Sequence, residues 1–93
     1  MNELEIFYLT GCPYCRHARR ATEELLEENP AYAALHLRWI EENQEAELSN
    51  SRDYYHVPTV YLKGEKLYEA SRRDSFDEIK ASFKAAFDRA LAG

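Results

Sequence analysis

Both cysteines of the chain fall within one four-residue run, Cys12-Pro13-Tyr14-Cys15. Two thiols at this spacing can exchange a disulfide or help to hold a metal, and the residues around them favour the first. Leu4-Glu5-Ile6-Phe7-Tyr8-Leu9 reads as a mostly buried strand, Thr10-Gly11 as a tight turn, and Pro13 as the first residue of a helix. Proline suits that position because its φ is already helical and its missing N–H would have had no partner there. Cys12 is therefore expected at a helix N-terminus, where unpaired N–H groups and the positive dipole end stabilise a thiolate. The thiolate is the form that attacks a disulfide. Cys15, one turn further and less exposed, is the expected second thiol. The residues predict a redox dithiol.

Arg16, His17, Arg19 and Arg20 crowd the turns after this run, and Glu23, Glu24, Glu27 and Glu28 follow. Ion pairs four residues apart, Arg19–Glu23 and Arg20–Glu24, are expected on the solvated face. Arg16 would add positive charge near Cys12 and is a candidate substrate contact. The competing chemistry is metal or iron–sulfur cluster binding through the same cysteines. Cys12, Cys15 and His17 make only half of a zinc site, with no fourth ligand in view, so no metal site is assigned.

The 93 residues make a single domain, 1–93. A net charge of −5 argues against nucleic acid, whose phosphates want a basic face. No apolar run approaches the roughly 20 residues that span a bilayer, and Glu3 and Glu5 interrupt any apolar leader. A soluble, cytoplasmic monomer is expected. In that reducing compartment a lone C-x-x-C is more often catalytic or metal-binding than a structural staple.

Helical spacing of Cys15, Ala18, Ala21, Thr22 and Leu25 predicts a helix from about Pro13 to Glu28, ended by Asn29-Pro30. A connector over Tyr32–Leu35 and a second strand over His36–Glu41 follow. Asn43 is the expected cap of a helix running toward Tyr55. Thr59–Leu62 and Glu65–Tyr68, joined at Lys63-Gly64, read as a hairpin. Ser75-Phe76-Asp77-Glu78 is a capping box for a last helix with Phe76, Ile79, Phe83, Phe87 and Ala90 on one face. The order βαβαββα predicts an α/β fold: a four-stranded mixed sheet with helices on both faces. Ligands of such sheets approach the carboxyl ends of parallel strands, which is where Cys12 would lie.

The C-P-Y-C run after a first strand, Val57-Pro58 before the third strand, and this element order together resemble a glutaredoxin, a family of the thioredoxin-like fold. The likeness in layout extends over essentially the whole chain. It implies a thiol–disulfide oxidoreductase acting on disulfide-containing or glutathionylated proteins, with Cys12 and Cys15 as catalytic residues and no bound cofactor. It also implies a cis peptide before Pro58, with the backbone of Val57 pairing with substrate as a short β-addition. Pro13, Tyr14, Val57, Pro58 and Asp74, with Arg16, form the expected substrate-binding set. Some positions depart from the family. Leu9 stands where the family usually has a lysine, His56 where it has a threonine, and Ala70-Ser71-Arg72-Arg73-Asp74 where it has Gly-Gly-x-x-Asp. Those positions grip glutathione in the family, and only Asp74 is kept. Glutathione remains a possible co-substrate. The expected reductant is either glutathione or a thioredoxin-reductase-like flavoprotein.

Overall fold

Strand β1 (Glu3–Tyr8) is central in a sheet ordered β2-β1-β3-β4, where β2 is His36–Glu41, β3 Thr59–Leu62 and β4 Glu65–Glu69. These relations come from a computed structural model that describes residues 3–93. β1 runs parallel to β2 and antiparallel to β3, and β3 pairs antiparallel with β4, so the sheet is mixed as expected. Helices α1 (Pro13–Glu28) and α3 (Phe76–Ala92) are long, and α2 (Ala46–Asn50) is short. The expected connector is a 3-10 helix over Pro30–Ala34, started by the Asn29 side chain accepting from the Ala31 N–H.

Alternation along the strands assigns the two faces. Leu4, Ile6, Val60 and Leu62 turn toward α1 and α3, where Ala18, Leu25, Ile79, Phe83 and Phe87 complete a buried cluster. Phe7, Ile40 and Tyr61 turn the other way and pack with Leu48 of α2, Tyr54 and Val57. Helices therefore cover both faces. Fully burying a side chain of this size contributes about 1.5–3 kcal/mol, so the Phe83–Phe87 face of α3 is a principal anchor of the sheet. The capping box is formed as read: Ser75 accepts from the Glu78 N–H, and Glu78 accepts from the Ser75 N–H. The hairpin turns at Lys63 (φ 51°) and Gly64 (φ 83°), the two consecutive left-handed residues that suit a two-residue loop.

Three expectations need correction. The helix expected from Asn43 to Tyr55 is only Ala46–Asn50, and Asn43 does not cap it. The carboxylate of Glu41 captures the Asn43 and Gln44 N–H groups, which makes an irregular turn before the helix can start. After α2 the chain is tied to β1 instead, by Arg52 forking onto Glu5 at 2.9 and 3.0 Å. The first strand ends at Tyr8, leaving Leu9 in the turn. Finally, Arg20 pairs with Glu24 at 3.2 Å as expected, but the Arg19 guanidinium lies 4.0 Å from the centre of the Trp39 ring. A cation over an aromatic face is an alternative to a solvated ion pair.

Candidate active site

The sheet, the turn and α1 converge on the dithiol. β1 delivers the chain to Thr10-Gly11, and Gly11 takes a left-handed φ of 84° that turns it back toward α1. Cys12 is the residue before the helix, in extended conformation, and its carbonyl accepts the Arg16 N–H at 3.0 Å. Pro13 occupies the first helical position and is exposed. The half-buried Cys12 thiol thus sits where the first-turn N–H groups of a sixteen-residue helix are unpaired.

The Val57–Pro58 bond is cis, as the resemblance implies, and the Cys12 sulfur lies 4.0 Å from the Val57 carbonyl oxygen. Bonds on either side fix this segment. The Tyr55 and His56 N–H groups donate to Glu69 at 2.9 and 3.0 Å, the Thr59 hydroxyl donates to the His56 carbonyl, and the Pro58 carbonyl accepts from the Ala70 N–H at 3.0 Å. Among the described residues the Val57 N–H has no such partner. An extended chain beside Cys12 could take that donor and the neighbouring carbonyl together. His56 itself is exposed and held through its backbone.

The two thiols, both free, differ sharply. Cys15 is 4% exposed. Burial pushes its thiol up to about 12, and proximity to Cys12 and Glu42 adds to this against an opposing backbone bond at Leu9. Cys12 is the accessible sulfur, and Cys15 is a protonated thiol held in reserve one turn along.

Tyr14 reaches across the fold, and its hydroxyl donates to the Arg72 carbonyl at 2.8 Å. That loop is itself braced by Asp74, which accepts from the Tyr68 hydroxyl, the Ser71 N–H (3.1 Å) and the Ser71 hydroxyl (2.9 Å). The Tyr68 bond, then the Ser71 donors, hold the Asp74 carboxyl below its ordinary range. In this structure Asp74 therefore shapes the loop that holds Tyr14. Ala70 is buried, so its methyl group adds bulk to the core and not to an open surface. His17 is half-buried edge-on to Phe76, with ring centres 5.6 Å apart. Among the described residues no group of three His, Cys, Asp or Glu side chains could hold a metal ion.

Two features escaped the sequence reading. One is a groove of about 290 Å3 beside the motif, lined by Tyr8, Leu9, Cys12, Cys15, Arg16 and Arg19 among others. The second is Glu41, buried at the end of β2 and level with Tyr8. Its carboxylate accepts the Thr10 N–H (3.3 Å) and hydroxyl (3.1 Å) as well as the Asn43 and Gln44 N–H groups. A carboxylate closing an apolar strand next to the motif was the available signal. The Asn43 donor first, and then the Thr10 and Gln44 donors, keep its carboxyl below the ordinary value of 4.5 despite burial. The stability it contributes is present above that ordinary value and is lost as pH falls through the lower folded value. Glu41→Gln should therefore reduce the melting temperature at neutral pH, with the gap to the unmodified protein closing as the medium is acidified. Melting curves from about pH 7 down to about pH 3 check this. A gap independent of pH would show that the charge of Glu41 is not what holds the turn.

No protein-family model matches the chain, and no curated protein matches it by sequence. Solved structures do match in shape. Thioredoxin 1 from the thermophilic eubacterium Thermosipho africanus superposes with a TM-score of 0.60 at 14% identity, covering 96% of this chain and 98% of that one. The fold is thioredoxin-like. A protein described as malarial superposes with a TM-score of 0.62 at 16% identity, over 91% of this chain and 96% of its own. Among the described residues of this thioredoxin-like domain, no helix is long and apolar enough to cross a membrane.

Proposed function

We propose that the protein is a thiol–disulfide oxidoreductase of glutaredoxin type. The observation that carries this reading is the division of the dithiol. Cys12 is accessible at the start of α1, 4.0 Å from the Val57 carbonyl, whereas Cys15 is buried with its thiol pushed up to about 12. In the first step Cys12 thiolate attacks one sulfur of a substrate disulfide, or the glutathione sulfur of a glutathionylated cysteine. A mixed disulfide forms and the other sulfur leaves as a thiolate. Cys15 then attacks the Cys12 sulfur, and its proton passes to the substrate thiolate that departs. The substrate gains two electrons, one proton from Cys15 and one that its first departing thiolate takes from water, and the protein is left with a Cys12–Cys15 disulfide. Although Cys15 ionises reluctantly, it attacks within one molecule, which raises its effective concentration by orders of magnitude. Formation of the mixed disulfide also removes the Cys12 thiol that helps to hold the Cys15 proton.

The electron source is either glutathione or a thioredoxin-reductase-like flavoprotein, and Leu9 favours the flavoprotein. Leu9 is an apolar wall of the groove where the family places a cation for glutathione. A charge-assisted hydrogen bond is worth roughly 1.5–3 kcal/mol, or about ten- to a hundredfold in binding. Turnover of a protein disulfide should therefore be slow with glutathione and its reductase, and faster with a thioredoxin reductase. Leu9→Lys should raise the glutathione-coupled rate toward that tenfold range. Efficient glutathione-coupled turnover by the unmodified protein would contradict this choice of donor. No turnover with either donor or with dithiothreitol would overturn the oxidoreductase reading itself.

A further inference from the structure

Seven of the twelve lysines and arginines lie within salt-bridge distance of a carboxylate. Among the described residues the five that do not are Arg16, Arg19, Lys63, Arg72 and Arg73. Their placement is uneven. Arg16 and Arg19 line the groove that also contains Cys12 and Cys15. Arg72 carries the carbonyl that holds the Tyr14 hydroxyl, and Arg73 follows it, so this second pair lies on the tyrosine side of the motif. Only Lys63, at the distal hairpin, is elsewhere. A protein with five more acidic than basic groups thus neutralises its cations everywhere except around its dithiol and at one turn.

The carboxylates built into the site's loops do not supply the missing partners. Glu41 is saturated by Thr10, Asn43 and Gln44, and Asp74 by Tyr68 and Ser71. Glu42 accepts the Tyr54 hydroxyl at 2.8 Å. Arg16 makes a single bond, to the Gly11 carbonyl at 3.3 Å, which leaves most of its donors open. The Arg19 guanidinium lies over Trp39, 4.0 Å from the ring centre, and 5.3 Å from the centre of the Tyr8 ring. Stacking restrains a guanidinium while keeping its planar fork of N–H groups available for a carboxylate.

From this placement, and resting on the exchange function proposed above, we infer that the preferred substrates are protein disulfides flanked by acidic residues. The four arginines draw such a segment to the dithiol and hold it astride Cys12, while the net negative charge repels other anionic surfaces approaching elsewhere. Charges at the rim of an interface act mainly on the association rate, and they do so in a salt-dependent way. The electron balance is that of the proposed exchange: substrate disulfide to dithiol, protein dithiol to disulfide.

The test uses three synthetic peptides that carry the same internal disulfide, flanked by glutamates, serines or lysines. Each is mixed with the reduced protein, and the second-order rate of peptide reduction is measured at about 0.01 M and about 0.3 M salt, where screening lengths differ several-fold. The glutamate peptide should react about tenfold or more faster than the lysine peptide at low salt, and the gap should shrink at high salt. Arg16→Gln/Arg19→Gln and Arg72→Gln/Arg73→Gln should each lower that ratio, and Lys63→Gln should leave it unchanged. Equal rates for all three peptides at low salt would overturn the inference while leaving the exchange function intact. Failure of every peptide to oxidise the protein would instead count against the exchange function on which it rests. A fourth arm is a glutathione adduct of the serine peptide. If it matched the glutamate peptide in rate and salt dependence, the arginines would serve glutathione's carboxylates, and the acidic-protein assignment would fall. The salt series on the unmodified protein decides the matter even if an arginine variant does not fold.

Discussion

Cys12→Ser is expected to abolish every exchange reaction, whereas Cys15→Ser should abolish only those that need two thiols. The asymmetry follows from where the sulfurs lie. Cys12 is half-buried beside the Val57 carbonyl and lines the groove, and Cys15 is only 4% exposed. A substrate sulfur can meet the first and is kept from the second. Removing Cys12 leaves no accessible attacker, so loss should be complete to the limit of the assay. Removing Cys15 leaves the attacker but strands the mixed disulfide on a protein substrate. A glutathionylated peptide needs only one attacking thiol, and its second step can be completed by free glutathione. Insulin reduction and peptide deglutathionylation, run in parallel on both variants, check this. Equal loss from both substitutions in both assays would close the single-thiol route.

Alkylation should separate the two thiols just as clearly. In the folded protein iodoacetamide should label Cys12 and leave Cys15 almost untouched at neutral pH. A thiol pushed from 9.0 to about 12 holds about a thousandfold less thiolate there. The intrinsically stronger nucleophilicity of such a thiolate gives part of that back. Ionisation alone should then slow Cys15 by roughly 30- to 60-fold relative to an ordinary thiol, before its 4% exposure is counted. Unfolding in guanidinium removes both effects, and the two cysteines should then be labelled at similar rates. Peptide mapping by mass spectrometry reads the ratio. Equal labelling in the folded state would show that Cys15 is not a buried reserve.

Elements with strong periodicity were legible in the sequence, because their burial pattern and their end signals agree. α1 starts at Pro13 and ends before Asn29-Pro30, and α3 begins at its Ser75 capping box, as read. The segment from Asn43 to Tyr55 lacked that agreement. Its local preference for a capped helix yields to a tertiary contact, the Glu41 carboxylate shared between Thr10 and the Asn43 turn. The same limit applies to the site. The cis Val57–Pro58 bond, implied by the resemblance, is present, and the start of α1 at Pro13 beside Cys12 is carried by local motif. The stacking of Arg19 on Trp39 and the bond from Tyr14 to Arg72 join residues 20 or more positions apart. No local pattern encodes such pairings. Asp74 illustrates the difference: the resemblance names the residue, and only the fold shows its carboxylate accepting from Tyr68 and Ser71.

The central claim is that Cys12 attacks and Cys15 resolves, and trapping the intermediate tests it most directly. Cys15→Ser protein, reduced and then incubated with an oxidised protein substrate, should accumulate a covalent adduct. Non-reducing mass spectrometry should locate the link at Cys12, and dithiothreitol should release both partners intact. Under the same conditions Cys12→Ser should form no adduct. An adduct through Cys15 in the Cys12→Ser protein, or none through Cys12 in the Cys15→Ser protein, would contradict the assignment of the two sulfurs.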